Sequence, residues 1–247
     1  MVTGNGPIVA LCTDFGIEGP YIGQMKAVLY QRAPRVRVLD LFSDLPPFQP
    51  KAAAYLLPAY VDGFPPGTVF ICVVDPGVGG DRLPLVVKAD GRFFVGPDNG
   101  LFNLLIRRAR EVECRRVTWV PEHLSSSFHG RDLFAPVGAM LACGETPPGV
   151  SMAPPPSGPP EWPDDLPQVV YIDHFGNAMT GLRACAVAPG RDLAVRGRAV
   201  AGARTFSDVP RHGAFWYENA NGLVEISVNQ GRADEVLGIA VGDSIEI

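Results

Sequence analysis

The stretch VVDPGVGGDR, residues 73 to 82, places an aspartate and an arginine on either side of a glycine-rich turn. Asp75 follows an apolar run that predicts a buried strand, and a carboxylate there needs a cation or several donors to stay ionised. Arg82, seven residues further on, can supply both. The turn lacks the GxxxxGK[ST] and GxGxxG patterns of phosphate loops. Taken alone, these residues favour a structural ion pair over a catalytic one.

Two further stretches contain residue types suited to catalysis or binding. In SSSFHGRDLFAPVGA, His129 precedes a predicted helix capped by Asp132. A histidine there can act as an acid or base near neutral pH, or serve as a structural hydrogen-bonding group. In CTDFG, Asp14 directly follows the first predicted strand, where it can hold both hydroxyls of a ribose or cap the next helix. Both alternatives stay open from the residues alone.

Polar residues flank two predicted turns in the last third of the chain. Asp173 and Asn177 flank the first turn, in YIDHFGNAMTG, where they can bind a polar ligand or form an Asx turn. Asn221 and Glu225 lie near the second, in WYENANGLVEISVNQGRA. Turn formation alone explains the pair Asn221-Gly222.

The elements that must position the first group of residues alternate between strand and helix. Helices are predicted in PYIGQMKAVLYQRA, KAAAYLLPAYV and LFNLLIRRAR, and strands in IVALC, RVRVLDL, TVFICVV, LPLVVKA and RFFVG. Pro58 should kink or end the second helix. This alternation predicts an α/β domain, residues 1–148, with a mostly parallel sheet covered by helices.

The composition changes after this domain. Proline and glycine dominate residues 149–166, which predicts a semi-rigid linker. Residues 167–247 hold only short predicted strands, in QVVYID, ACAVA, LAVRGRAV, AFWYEN, LVEISV and DSIEI. Short strands separated by regular turns are typical of a smaller antiparallel β-barrel domain.

Charge and apolar patterning argue against several classes of function. The net charge is -5 and the lysines and arginines are scattered, so nucleic acid is not an expected partner. The apolar runs are far shorter than the roughly 20 residues of a membrane span. No signal-peptide pattern opens the chain, which predicts a cytoplasmic protein. The 5 cysteines and 4 histidines lack metal-binding spacings, so no metal is expected.

Six short motifs occur together in one order: TDFG, PPF, VDPGVG, GPDNG, FHGRD and IDHFGN. In these motifs and their order, the chain resembles the S-adenosylmethionine hydroxide adenosyltransferase family, whose relatives include fluorinating and chlorinating enzymes. The resemblance runs from about Ile8 to the C-terminus. It implies a homotrimer in which one subunit's N-terminal domain and its neighbour's C-terminal domain form the active site. It also implies S-adenosylmethionine as the substrate and no cofactor.

The resemblance also implies roles for individual residues. Asp75, Arg82 and His129 would activate water, and Asp14 would hold the ribose hydroxyls. Tyr21 would lie near the methionine carboxylate, and Phe48 would pack against the ligand. Asp173 and Asn177 would hold the methionine amine and the adenine or ribose side. Three further positions implied to contact the ligand are Phe206, Asn221 and Glu225.

We therefore predict hydrolysis of S-adenosyl-L-methionine to adenosine and L-methionine by attack of activated water or hydroxide at C5′. The alternatives are a halogenase and a non-catalytic protein that binds S-adenosylmethionine or adenosine. By the resemblance, halogenating relatives have tyrosine in place of Asp75 and serine in place of Gly130, and an ionised Asp75 would repel halide. A binding protein would not need the Asp, Arg and His set. Which of the three accepts the proton stays open.

Overall fold

The structure, a computed structural model, describes residues 6–155 and 162–247. The chain forms two compact units that divide between residues 159 and 160. Residues 156–161 of the predicted linker lie outside the described residues. The first residues of that predicted linker, Gly149–Met152, instead form the last strand of the first unit.

The first unit is built on a seven-stranded sheet in the order β2-β1-β3-β5-β4-β6-β7. Its strands are β1 (Ile8–Thr13), β2 (Arg37–Phe42), β3 (Val69–Val73), β4 (Pro84–Ala89), β5 (Arg92–Pro97), β6 (Val112–Val117) and β7 (Gly149–Met152). Its helices are α1 (Tyr21–Arg32), α2 (Pro50–Val61), α3 (Asn103–Arg108) and α4 (Ala135–Ala142), and a π-helical turn (Gly130–Phe134) leads directly into α4.

The sheet is mixed, so the predicted mostly parallel arrangement is wrong for its second half. β2, β1, β3 and β5 run parallel to one another. The pairs β5-β4, β4-β6 and β6-β7 are antiparallel. The reason lies in the connection between β4 and β5, because Asp90 and Gly91 have φ of 45° and 78° and form a tight hairpin turn. A connection this short has no room for the crossover helix that a parallel pair requires.

Apolar faces of the helices cover this sheet and fix where its loops emerge. α1 buries Met25 and Leu29 in the same cluster as Val9, Leu11 and Ile71 of the sheet. α2 continues through Pro58 to Val61, so the prediction that Pro58 could end the helix is wrong. The helix buries every residue from 52 to 57, and this packing offsets the hydrogen bond that proline cannot make.

The second unit is a seven-stranded sheet in the order β14-β10-β11-β12-β13-β9-β8. Hydrogen bonds between Val169 of the first strand and residues 242 and 243 bring its two edges together, which makes the sheet nearly barrel-like. Its elements are β8 (Leu166–Ile172), β9 (Ala178–Arg183), β10 (Leu193–Val195), β11 (Arg198–Gly202), β12 (Ala214–Glu218), β13 (Leu223–Val228), α5 (Ala233–Leu237) and β14 (Ile245–Glu246).

The barrel prediction holds in outline, with several local differences. β11 and β12 are parallel, whereas the other pairs between its named strands are antiparallel. ACAVA is not a strand, because residues 184–186 form a 3-10 turn. LAVRGRAV is two strands joined at Arg196 and Gly197, whose φ values of 51° and 73° suit a hairpin turn. Across both described ranges, none of the helices is long and apolar enough to cross a bilayer.

Gly96 in β5 is a sensitive point of the first sheet. A Cβ atom there would overlap the backbone carbonyl of Cys72 in β3 and lie 2.9 Å from the Phe102 ring. We expect Gly96→Ala to lower the free energy of unfolding by about 2 kcal/mol, as overpacking a rigid core does. Urea unfolding followed by circular dichroism measures the change.

The matched control is Gly23→Ala in α1, where a Cβ meets nothing within 4 Å. Alanine also favours helix, so this variant should be neutral or stabilising by up to about 1 kcal/mol. Equal midpoints for Gly96→Ala and the wild-type protein would contradict the close packing of β5 on β3.

Candidate active site

Asp75 and Arg82 form a buried ion pair at the end of β3. Arg82 Nε donates to both carboxylate oxygens, at 3.2 and 3.0 Å, and Nη2 donates to Oδ2 at 2.6 Å. Their side chains are only 4% and 9% exposed. The turn between them closes through hydrogen bonds from Val78 N to Asp75 O and from Gly80 N to Gly77 O. The glycine-rich stretch therefore folds back so that the arginine binds the carboxylate.

His129 joins this pair through the same guanidinium group. Its Nδ1 lies 2.7 Å from Arg82 Nη2. Because a guanidinium only donates hydrogen bonds, Nδ1 must accept, which makes the imidazole neutral with its hydrogen on Nε2. Burial and then the charge of Arg82 lower the pKa of His129, while Asp75 and Asp132 oppose that shift. The structure thus joins Asp75, Arg82 and His129 in one hydrogen-bonded group.

The two loops that carry this group touch at Gly79. Its φ is +80°, and a Cβ there would overlap the backbone carbonyl of Ser126 in the loop before His129. A glycine is needed at this position both for its backbone angle and for the close approach. The glycines of VDPGVGG therefore shape the group instead of binding phosphate.

Asp132 does not cap a helix, so this part of the sequence interpretation is wrong. It lies inside the π-helical turn, and α4 begins after Phe134 with no side-chain cap. The Asp132 carboxylate instead accepts a hydrogen bond from Ser125 N at 2.9 Å. Arg131 binds both of its oxygens, at 2.6 and 3.0 Å. Because the π-helical turn starts at Gly130, the carboxylate reaches back across the loop instead of marking the start of a helix.

Asp14 and Phe48 meet at the same end of the sheet. Asp14 Oδ2 accepts a hydrogen bond from Phe48 N at 3.0 Å, and Phe48 has an unusual φ of 64°. The capping alternative for Asp14 is wrong, because α1 begins after Pro20 without a side-chain cap. Burial raises the pKa of Asp14, and the hydrogen bond from Phe48 partly offsets this.

A cavity of about 340 Å³ in the first unit is lined by Asp14, Tyr21, Phe48, Asp75 and His129. The Asp75-Arg82-His129 group therefore lies at the wall of a cavity that three predicted substrate-binding residues share.

Two aromatic residues that the sequence analysis does not single out, Phe15 and Phe128, also line this cavity. Together with Tyr21 they pack with ring centroids 5.2, 5.7 and 5.8 Å apart. Their positions inside TDFG and FHGRD are the signal that could have identified them.

A second cavity, of about 750 Å³, lies in the second unit. It is lined by Asp173, Asn177, Phe206 and Glu225, four of the five residues predicted there. The fifth, Asn221, is exposed in the hairpin turn and does not line this cavity. Its N–H donates to the Asn219 side chain at 2.9 Å, as expected for turn formation alone.

Hydrogen bonds to the Asp173 side chain close its loop, but the donor lies four residues further on and not two, so this is not the Asx turn that was the alternative. Asn177 donates to Asp173 from its backbone N at 2.8 Å and from Nδ2 at 2.9 Å. Arg232 supports the loop, because its Nη1 donates to His174 O at 2.7 Å. Phe175, in the same loop, is 72% exposed and lines the cavity. Neither Arg232 nor Phe175 was identified from the sequence.

Glu225 is buried, and both of its oxygens have partners within the unit. Tyr217 OH donates to Oε1 at 2.6 Å and Asn219 Nδ2 donates to Oε2 at 2.9 Å. Burial raises the pKa of Glu225. Its direct role is therefore to hold Tyr217, which lines the cavity and was also missed by the sequence analysis.

No group of three or more His, Cys, Asp or Glu side chains in residues 6–155 and 162–247 has an arrangement that could hold a metal ion.

Both units match known proteins. The model of the SAM hydroxide adenosyltransferase N-terminal domain matches residues 9–151, and that of the C-terminal domain matches residues 167–246. Two similar curated proteins are named (R)-S-adenosyl-L-methionine hydrolase. The one from Thermus thermophilus is 40% identical over 97% of this chain and 98% of its own. The one from Salinispora arenicola is 35% identical over 98% of this chain and 97% of its own.

More distant and structural similarities agree with these matches. A fluorinase from Nocardia brasiliensis is 25% identical over 58% of this chain and 57% of its own. The crystal structure of an uncharacterized conserved protein from Thermotoga maritima has a TM-score of 0.86 and 31% identity, and the match covers 96% of this chain and 98% of that one. This chain therefore belongs to the SAM hydroxide adenosyltransferase family.

Proposed function

We propose that this protein hydrolyses S-adenosyl-L-methionine to adenosine and L-methionine, with Asp75, Arg82 and His129 preparing a water molecule for attack at C5′. The observation that carries the proposal is the shared guanidinium, which binds the Asp75 carboxylate and His129 Nδ1, two groups that line one cavity. Family membership and the hydrolase relatives support the reaction.

The reaction is a displacement in which water forms a bond to C5′ as the bond from C5′ to sulfur breaks. The electron pair of that bond goes to sulfur, which becomes the neutral thioether of methionine, and the water loses a proton. A sulfonium leaves readily without acid catalysis. Alignment of a weak nucleophile is therefore the main task, and positioning of this kind can contribute several orders of magnitude in rate.

Asp75 is the best candidate to accept that proton. Arg82 has no acceptor atom, and His129 Nδ1 is already bonded to it. Asp75 Oδ1 receives only one long hydrogen bond of 3.2 Å from Arg82, so it keeps lone pairs for a water. His129 Nε2–H is then the donor that orients the water, while Arg82 fixes the carboxylate and favours hydroxide character.

The remaining residues of the two cavities fit the substrate's two ends. In the first unit, Asp14 would bind the ribose hydroxyls through Oδ1, since Oδ2 is bonded to Phe48 N. Tyr21 and Phe48 would form the adjoining aromatic wall. In the second unit, Asp173 and Asn177 would bind the methionine amine and the adenine or ribose side. The substrate-contacting set there also includes Phe206, with Glu225 acting through Tyr217.

Two features favour water over halide as the nucleophile. Asp75 brings negative charge to the place that a halide would occupy. A Cβ at Gly130 would lie 3.2 Å from the Phe15 ring and 3.3 Å from the Phe128 ring, so a serine at this position would require both rings to shift by a few tenths of an ångström.

The proposal includes a homotrimer in which the first cavity of one chain is completed by the second cavity of its neighbour. Each cavity alone holds only part of the residues that the substrate needs, as described above. The exposed side chains of Tyr21 and Phe48 line the first cavity and would be covered by such a neighbour. We also place the protein in the cytoplasm, because its five cysteines are free, as is usual in a reducing compartment.

The product assay tests the reaction directly. Incubation with S-adenosyl-L-methionine in oxygen-18 water should yield methionine and adenosine labelled at the 5′ oxygen, with the same products when chloride or fluoride is added. Liquid chromatography with mass spectrometry separates the possible nucleosides. Formation of a 5′-halogenated nucleoside, or recovery of intact substrate, would reject the proposed function.

Variants of His129 test whether the imidazole donates or accepts. His129→Ala removes the donor and should reduce kcat at least about 100-fold with a small change in KM. His129→Asn can still accept from Arg82 and donate to water, so its kcat should stay within about tenfold of the wild-type value. The control is His123→Ala, at an exposed loop position. If Asn and Ala variants were equally inactive, the donor role would be wrong.

The pH dependence of kcat/KM tests the role of His129 by an independent measurement. The neutral form of His129 is favoured because its pKa is lowered from 6.5, so protonation requires more acid than usual. We expect kcat/KM of the wild-type enzyme to be flat from neutral pH down to about 6.5 and to fall only below it. This decrease of kcat/KM at low pH should be absent from the profile of His129→Asn.

Mixed trimers test the assembly. Asp75→Ala and Asp173→Ala chains should each be inactive alone, whereas randomly mixed trimers should recover about a quarter of the wild-type activity, because that share of sites pairs two intact halves. Light scattering should give a mass of three chains. If the mixed trimers recovered no activity, each active site would lie within one chain.

A further inference from the structure

The two loops that carry the Asp75-Arg82-His129 group have no regular secondary structure. Residues 74–83 follow β3, and residues 118–128 precede the π-helical turn. Sheet and helix hydrogen bonds therefore do not fix them. The alignment of a water molecule requires loops held to a fraction of an ångström, since a displacement of about 1 Å can cost about 100-fold in rate. Backbone hydrogen bonds close the turn after Asp75, and side chains outside the cavity add to this restraint.

Asn99 restrains the first loop. Its Nδ2 donates to the backbone oxygen of Val74 at 2.8 Å, and its Oδ1 accepts from Leu101 N at 3.3 Å. Val74 is fully buried and directly precedes Asp75, just after β3 ends. The Asn99 amide thus donates to the Val74 carbonyl the hydrogen bond that a neighbouring strand would otherwise supply. It belongs to the motif GPDNG, to which the proposed reaction gives no other role.

Asp132 restrains the second loop. Its carboxylate accepts a hydrogen bond from Ser125 N, seven positions earlier, and so closes the loop that contains His129. Arg131, bonded to both oxygens of Asp132, also donates from Nη1 to Gln24 Oε1 of α1 at 2.8 Å. The Arg131 guanidinium lies 5.0 Å from the centre of the Phe128 ring. The loop is therefore tied at its start to the π-helical turn and through Arg131 to α1.

We propose that Asn99 and Asp132 are positioning residues, Asn99 for Asp75 and Asp132 for His129, although neither lines the cavity. The two restraints meet at the close contact between Gly79 and Ser126, so a shift of one loop is transmitted to the other. This inference rests on the proposed function only in naming Asp75 and His129 as the groups that must be aligned.

The charge of Asp132 gives its role a signature that a structural residue would lack. The charged groups that act on His129 are Arg82, which lowers its pKa, and Asp75 and Asp132, which raise it. Asp132→Asn keeps an oxygen to accept from Ser125 N but removes the charge. The His129 pKa should then fall further, while the loop stays in place.

The experiment compares steady-state kinetics of Asp132→Ala, Asp132→Asn, Asn99→Ala and Asn99→Asp. We expect Asp132→Ala to lower kcat about 10- to 100-fold with KM changed less than about threefold, and Asp132→Asn to restore most of that loss. Both Asn99 variants should lower kcat, because an ionised carboxylate cannot donate to Val74 O any more than alanine can. The matched control is Asp165→Ala, which removes a carboxylate that also binds an arginine and a backbone N–H in the second unit.

The second measurement does not depend on activity. With only 4 histidines in the chain, the His129 ring can be assigned in NMR spectra by comparison with His129→Asn. Its pKa should decrease in Asp132→Asn and stay unchanged in Asn99→Ala and Asp165→Ala. If the wild-type protein did not hydrolyse the substrate, the proposed function would fail, and this titration would still show whether the Asp132 carboxylate acts on His129.

Two results would overturn the inference. The first is a kcat within about twofold of wild type for Asp132→Ala or for both Asn99 variants. The second is loss of the folded NMR spectrum in both variants at either position, which would mean that the residue supports the whole unit and not one loop.

Discussion

The proposed centre depends on the hydrogen bonds that the Arg82 guanidinium makes to Asp75 and His129. The guanidinium binds a carboxylate from its own turn and an imidazole 47 residues further along the chain. Because arginine stays charged and only donates, it fixes three things at once: the position of Asp75, the position of His129 and the tautomer of the imidazole. Removing a buried pair of this kind from water is costly, so its presence points to chemistry more than to stability.

The rest of the first unit can be understood as support for this contact. The parallel half of the sheet ends at Asp14 and Asp75 along one edge, where β1 and β3 lie side by side. Gly79 lets the second loop approach the first, and side chains behind the cavity hold the free backbone groups of both loops. In the second unit, Asp173 and Glu225 likewise have hydrogen-bond partners within their own unit.

Much of the fold follows from local sequence, and the exceptions have identifiable causes. β1 and β3 are almost entirely apolar runs, so their composition alone indicates buried strands. β6 was not predicted because its sequence VECRRV carries three charged residues, and its burial does not follow the two-residue alternation of a strand. The two-residue turn before β5 reverses the sheet, and its sequence Asp90-Gly91 is itself a hairpin signal that the prediction of a mostly parallel sheet did not take into account. α2 passes through Pro58 because burial of its apolar residues outweighs a local preference.

The sequence by itself determined the family and the residue types at positions 75, 82 and 129, since these lie in short motifs whose members are close in the chain. It also indicated that Arg82 could reach Asp75, because a glycine-rich turn joins these residues, which are seven positions apart. Only the tertiary structure decided that His129 accepts from Arg82 and that Asp132 holds a loop instead of capping a helix. Such contacts depend on how distant loops pack, and no local propensity or periodicity records which atoms will meet.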